Sequence, residues 1–175
     1  MFPEQIPTAR LMLRRPVESD AHDIFTSYAQ DPRVTRFLRW KPHTSEATVR
    51  EFLETCVTAW RNGAPFPYVI TEAGSSSAIG IIEARPQGHT VDLGYALARA
   101  HWGKGFMPEA IAALAGGALR SRYFRVQAFC DVENRPSQRA LEKAGFEREG
   151  RLGRYMIHPN VSPEPRDCFI YSKCR

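Results

Sequence analysis

An α/β fold built on a largely antiparallel sheet is what this chain predicts, and three observations predict it. Short apolar runs at Phe66 to Glu72, Ala78 to Arg85 and Thr90 to Leu97 are separated by Gly74-Ser75-Ser76-Ser77 and by Pro86-Gln87-Gly88-His89, the spacing of an antiparallel meander. The third run feeds a glycine-punctuated loop and then a helix start. Upstream, Val49, Phe52, Leu53, Cys56, Val57 and Trp60 recur at helical spacing between Thr44 and Asn62-Gly63, which marks an amphipathic helix.

The elements follow in order. Arg10 to Arg15 alternates in part and stops before Pro16, so it reads as the first strand; a helix follows from Glu18 to Gln30, ended by Asp31-Pro32. Thr44 is placed to cap the amphipathic helix and Gly63 to end it. The three meander strands come next. Glu109 to Leu119, rich in Ala and Leu, predicts a helix, and Arg125 to Cys130 a fifth strand. Asn134-Arg135-Pro136-Ser137 opens a helix that ends at Ala144-Gly145, and the last two strands lie at Phe146 to Ile157 and Asp167 to Lys173. Between them, His158 to Pro165 is a proline-containing loop.

The chain has 175 residues and reads as one domain, 1–175, large enough to bury roughly two thirds of its unfolded surface. Hydrophobic residues at 43% and charged residues at 25% exclude disordered and fibrous classes. Met1 to Thr8 lacks the apolar core of a signal peptide and Ala110 to Leu119 is too short to span a bilayer, so a cytoplasmic protein without a membrane partner is expected. Cys56, Cys130, Cys168 and Cys174 show no metal-ligand spacing; free thiols and no metal are expected. The net charge of +5 suits an anionic ligand, with Arg33, Arg36, Arg39 and Lys41, then Arg120, Arg122 and Arg125, carrying local excess. No zinc-finger or basic-zipper pattern accompanies these residues, so nucleic acid is not the expected partner.

The most informative stretch runs from Leu93 through Gly103-Lys104-Gly105 to Pro108-Glu109-Ala110. A strand, a loop with two glycines and a proline in a first helical turn make the geometry of a phosphate cradle, where unpaired N–H groups and the helix dipole face an anion, helped by Lys104. Neither familiar phosphate motif fits: Ala98 stands at the first Gly of a Walker loop, and Pro108 at the third Gly of a dinucleotide fingerprint. A tight turn without a ligand is the alternative.

Other segments decide between these. Trp102-Gly103-Lys104-Gly105-Phe106 followed by Glu109-Ala110, then Asn134-Arg135-Pro136-Ser137 and Leu141-Glu142-Lys143-Ala144-Gly145-Phe146, resembles the GNAT superfamily of N-acetyltransferases, and within it the Rim branch that acetylates N-termini of ribosomal proteins. The opening Thr8-Ala9-Arg10-Leu11-Met12-Leu13-Arg14 and the closing Arg166-Asp167 match the same branch. Three positions depart from the superfamily pattern. Trp102 replaces its Arg or Gln, Met107 its Gly or Ala, and Leu141 stands where many members carry a Tyr.

The resemblance implies a GNAT-like mixed, largely antiparallel sheet of about seven strands, flanked by helices and splayed between the fourth and fifth strands. Acetyl-CoA would bind in that cleft as cosubstrate, held by backbone groups of Tyr95, Ala96 and Leu97, by the loop residues Trp102, Gly103, Lys104, Gly105, Phe106 and Met107, and by Asn134 and Ser137. Transfer to a primary amine needs a base, an oxyanion donor and a proton for the departing thiolate. Asp92 is the first candidate for the base and Glu83 the second, each with the alternative of a solvated strand carboxylate or a water-mediated route. Ser137 is the proton donor that the resemblance implies, with helix capping as its alternative.

The expected acceptor is a protein N-terminal amine. A polyamine, an amino sugar or another small amine is the alternative, as is a non-catalytic CoA-binding sensor of the same fold; the assembly is a monomer or homodimer. The acceptor wall is expected from Asp31 to His43 and His158 to Arg166, with Phe37, Leu38 and Trp40 either lining it or belonging to the core of a short helix.

Overall fold

The computed structural model describes residues 2–175. Eight strands form one sheet: β1 (Gln5–Pro7), β2 (Leu11–Arg14), β3 (Phe66–Glu72), β4 (Gly80–Gln87), β5 (Thr90–Leu97), β6 (Arg125–Asp131), β7 (Glu147–Ile157) and β8 (Pro165–Cys174). Their spatial order is β1-β2-β3-β4-β5-β6-β8-β7, and every neighbouring pair is antiparallel except β5 with β6. The sheet has one strand more than expected, because β1 is only three residues long and pairs Ile6 with Leu13 without an alternation of its own.

The helices are α1 (Ala21–Ile24, continuing as a wider π turn over Phe25–Ala29), α2 (Pro32–Thr35), α3 (Glu46–Asn62), α4 (Phe106–Arg120) and α5 (Arg135–Lys143). The single helix expected over 18–30 is thus three short pieces, since Glu18–Asp20 forms a separate 3₁₀ turn. Ser45, not Thr44, caps α3: its hydroxyl accepts from the Thr48 N–H. Helix α4 begins three residues earlier than the Ala and Leu content marks. Gly105, in the left-handed region at φ 79°, starts the first turn and Pro108 sits inside it.

Alternation along the strands divides the core in two. On one face, Ile82 and Ala84 of β4, Val91 and Leu93 of β5 and Val126 and Ala128 of β6 pack under Ala110, Ile111, Leu114 and Ala115 of α4 and Leu141 of α5. On the other, Val69 of β3 and Ala96 of β5 meet Ala21, Ile24 and Tyr28 of the α1 segment and Val49 and Leu53 of α3. Burying each Leu or Ile contributes about 1.5–3 kcal/mol, so both helical layers are bound firmly to the sheet. The consequence for β5 is that Leu93 and Tyr95 address the α4–α5 layer, while Asp92 and Gly94 address the α1–α3 side.

Candidate active site

Strands β5 and β6 part midway. Their parallel register runs from Thr90↔Arg125 to Leu93↔Ala128 and stops, although β5 stays paired with β4 as far as Gly80↔Leu97 and β6 with β8 as far as Asp131↔Cys168. Gly94 to Leu97 and Phe129 to Asp131 therefore present two inner edges to a fork about 13 Å deep, at a rise of roughly 3.3 Å per residue. Unpaired backbone groups on such edges require partners, and an extended ligand can supply them in the manner of an added strand. The Leu97 carbonyl is already taken: the Trp102 indole N–H donates to it at 2.7 Å, which ties the following loop to the end of β5.

That loop is shaped for an anion. Gly103 and Gly105 both adopt left-handed backbone, at φ 77° and 79°, and no side chain caps α4. Among the described residues, none of the N–H groups from Gly103 to Met107 has an acceptor. The Lys104 side chain is exposed beside them. Phe106 and Met107 are both only 7% exposed and belong to the main core, so the methionine at the superfamily's small-residue position turns away from the loop's outer surface.

A clamp fixes the helix start to the first strands. Glu109 Oε1 accepts from the Thr8 hydroxyl at 2.6 Å and the Arg10 N–H at 2.8 Å, and Glu109 Oε2 from Arg10 Nε at 2.7 Å. Arg10 Nη1 goes on to the Lys104 carbonyl at 2.9 Å, with its guanidinium over the Phe106 ring. Burial works against the Glu109 carboxylate, but these donors outweigh it and hold its pKa below the ordinary value.

The two candidate bases stand on the α1–α3 side of neighbouring strands. Glu83 lies opposite Gly94, the first residue beyond the fork, and pairs with Arg85 Nη1 at 2.9 Å. Arg85 crosses directly over Gly94, where an added Cβ would meet Nη2 at 2.9 Å. Asp92 lies one step lower, opposite Gln127 within the paired section, and accepts from Gln127 Nε2 at 2.6 Å. The Gln127 side-chain oxygen, Oε1, accepts from Arg125 Nε at 2.7 Å, Arg125 pairs with Glu149, and Glu149 accepts from Ser172 Oγ at 2.6 Å. Arg125 donates only, so it fixes the Gln127 amide with its NH₂ toward Asp92. The sequence gives no sign of Gln127, because its relation to Asp92 exists only in the parallel register.

Ser137 and Tyr95 meet across the fork on the opposite side of the sheet, with the Tyr95 hydroxyl 2.8 Å from Ser137 Oγ. Capping of α5 falls to Asn134, whose side chain accepts from the Ser137 N–H at 3.3 Å. Leu141 is fully buried in the core and cannot address the cleft.

The two expected wall segments do come together. Asn160 Nδ2 donates to the carbonyls of Thr35 and Trp40, both at 2.8 Å, and the His158 ring meets Phe37 edge-on. Beneath them Asp131, fully buried, accepts from Arg166 Nε at 2.6 Å, which keeps its pKa low despite burial; burial lowers that of His158. Leu38 and Trp40 pack against the second core, whereas Phe37 faces the wall. Beyond it lies a solvent-open groove of about 640 Å³ between Arg39, Tyr155, Met156, Ile157, Pro159 and Pro165. Tyr155, set by a bulge in β7 where Arg154 has φ 45°, packs its ring against Phe129 of the fork in a tilted contact with centroids 4.9 Å apart. Asp167 fixes that bulge by accepting from the Arg154 N–H at 2.8 Å.

Among the described residues, no three His, Cys, Asp or Glu side chains gather as a metal site, and no helix is long and apolar enough to cross a membrane.

Comparison with known proteins bears on this arrangement. The model of the acetyltransferase (GNAT) domain matches residues 10–147. The uncharacterized N-acetyltransferase YoaA of Bacillus subtilis is 30% identical over 176 residues, covering 98% of this chain and 97% of its own. A GNAT-family acetyltransferase structure from Bacillus anthracis superposes with a TM-score of 0.84 at 26% identity, over 97% of this chain and 98% of the other. RimL, a ribosomal-protein α-N-acetyltransferase solved in complex with coenzyme A, shares the fold at a TM-score of 0.84 and 21% identity, over 98% of both chains.

Proposed function

The chain belongs to the acetyltransferase (GNAT) family and is an acetyl-CoA-dependent N-acetyltransferase; on that premise we propose that its acceptor is the α-amine of a polypeptide N-terminus, as in the Rim branch. The observation that carries this reading is the groove beside Tyr155. It is open to solvent, which suits a chain end entering from outside, whereas a free small amine is ordinarily enclosed on most of its surface. The Rim-branch motifs and the fold shared with RimL support it.

The residues present fit acetyl-CoA. The unspent N–H groups of Gly103 to Met107, with Lys104, suit a pyrophosphate, and the free edge of Gly94 to Leu97 suits the pantetheine amides. Trp102 shapes that loop and Asn134 flanks the fork. Acetyl-CoA supplies a thioester already activated toward amines. Holding an amine beside it provides much of the rate, because the two-body encounter is replaced by a fixed one. A backbone N–H at the fork stabilises the oxyanion. As the C–N bond forms and the C–S bond breaks, Glu83 or Asp92 takes the amine proton, directly or through water, and later releases it to solvent, while Ser137 passes a proton to the sulfur and its oxygen regains one from water.

Calorimetric titration with acetyl-CoA, followed by thiol release over short peptides with free N-termini, polyamines and amino sugars, tests the reading. Peptides are expected to give the highest kcat/KM. Turnover confined to small amines would overturn the acceptor assignment, and binding without turnover on any amine would favour a sensor.

A further inference from the structure

The contact between Tyr95 and Ser137 joins the two arms of the fork. Tyr95 is the second residue past the last β5–β6 pair, and Ser137 lies in the first turn of the helix that follows β6. Their oxygens are 2.8 Å apart although the residues are 42 positions apart in the chain. Each hydroxyl has one proton to give. The distance alone allows either oxygen to donate; a phenol is ordinarily the stronger acid of the two, which favours the tyrosine as donor and leaves the serine proton for another partner. Asn134 already caps α5, so the helix makes no demand on the Ser137 hydroxyl.

We propose that Tyr95 is a positioning residue for Ser137: its phenol donates to Ser137 Oγ and fixes the serine rotamer so that the serine proton points into the fork, toward the sulfur of bound CoA. The inference rests on the reading of Ser137 as proton donor and extends it to the residue that aims it. Cys130 of β6, which Ser137 already reaches, is the competing partner for the serine proton, and the tyrosine is what biases the rotamer away from it.

The surroundings keep this polarity constant. The titratable groups facing the pair are Cys130 of β6, Tyr171 of β8 and Glu142 of α5, whose carboxylate accepts from the Tyr171 hydroxyl at 3.0 Å. Burial pushes the Cys130 thiol and the Tyr171 phenol up to about 12. Burial likewise raises the Tyr95 phenol, so it remains a donor throughout the working range.

The test is product affinity as a function of pH, read by calorimetry with CoA and with desulfo-CoA, which lacks the sulfur. In the unsubstituted protein, CoA should gain over desulfo-CoA as rising pH ionises its thiol, because a thiolate accepts the serine proton strongly. Tyr95→Phe and Ser137→Ala should each remove most of that gain, about tenfold, and the double variant should lose no more than either alone. All three should still bind desulfo-CoA, which shows that they fold, and the gain is read within each protein as the ratio of CoA to desulfo-CoA affinity. In turnover, Tyr95→Phe should lower kcat with KM for acetyl-CoA unchanged. A Tyr95→Phe protein that keeps the full gain, or losses that add in the double variant, would overturn the positioning role. If Ser137→Ala keeps the gain, the proton-donor reading falls first and the positioning role with it. Failure of the unsubstituted protein to bind either ligand would instead reject the fork as the CoA site.

Discussion

Replacing Glu109 by Gln separates the clamp's charge from its shape. The amide oxygen can still accept from Thr8 and from the Arg10 N–H, but the amide nitrogen then meets Arg10 Nε and Nη2 donor to donor, where the carboxylate made contacts of 2.7 Å. A hydrogen bond to a charged group contributes about 1.5–3 kcal/mol; the Arg10 side chain is half exposed, which reduces the loss to about 1–2 kcal/mol. For a chain of this length that is a fall in Tm of about 3–6 °C. Arg10 also holds the Lys104 carbonyl, so CoA affinity should drop about three- to tenfold as the anion loop loosens. The pH dependence has a definite sign. The Glu109 pKa lies below its ordinary 4.5 in the folded protein, so the clamp's contribution is complete above that value and is lost as pH falls through the lowered pKa. Chemical denaturation at neutral pH and near pH 3, beside CoA titration, reads all three effects. Equal stability and equal CoA affinity for Glu109→Gln and the unsubstituted protein would refute the reasoning.

Gly105→Val should abolish detectable CoA binding while leaving a folded protein by circular dichroism: a non-glycine residue at φ 79° costs about 1–2 kcal/mol, and its Cβ would lie 3.3 Å from Arg10 Nη2. Unchanged CoA affinity would sink the cradle. Of Glu83→Gln and Asp92→Asn, the variant that removes the base should lower kcat about 10²- to 10⁴-fold at neutral pH while the other changes it little; near-normal turnover in both would point to a water route. Asn160→Ala removes the two Asn160 hydrogen bonds between the wall segments, leaving the Phe37–His158 contact, and should raise KM for the proposed peptide acceptor several-fold without affecting acetyl-CoA affinity, as measured by initial rates.

Much of the sheet was legible because its strands announce themselves locally. Phe66–Glu72 and Thr90–Leu97 fall where the apolar runs and turn clusters place them, and Gly63 ends α3 at φ 79° as its sequence suggests. Local signals failed where tertiary packing decides. Glu18 to Gln30 has helical periodicity, yet Tyr28 is pulled into the second core through a π turn, and Asp31 then caps a separate short helix. The shape of the loop before α4 was readable from Gly103, Gly105 and Pro108, since each carries its conformational requirement in its covalent structure. The fork came only through family resemblance, as no pattern in β5 or β6 reveals where a ladder stops. The partners of the expected site residues were least legible: Gln127 beside Asp92, Asn160 across the wall and Tyr95 over Ser137 each join chain segments at least 35 residues apart.

The polar chain from Asp92 through Gln127 and Arg125 to Glu149 and Ser172 laces β5, β6, β7 and β8 together just below the point of separation. It acts as the stop on a zipper. Were the teeth to open one residue further, the apex of the fork would move about 3.3 Å down the strand, from Gly94 to Leu93, and meet residues of the opposite parity, since neighbouring side chains point to opposite sides. Glu83 would then no longer stand level with the first open residue. On the proposed mechanism this network, which begins at the candidate base Asp92 and ends at the buried Ser172, acts as a ruler for the reaction, and substitutions at Gln127 or Arg125 should shift where chemistry happens before they affect whether the protein folds.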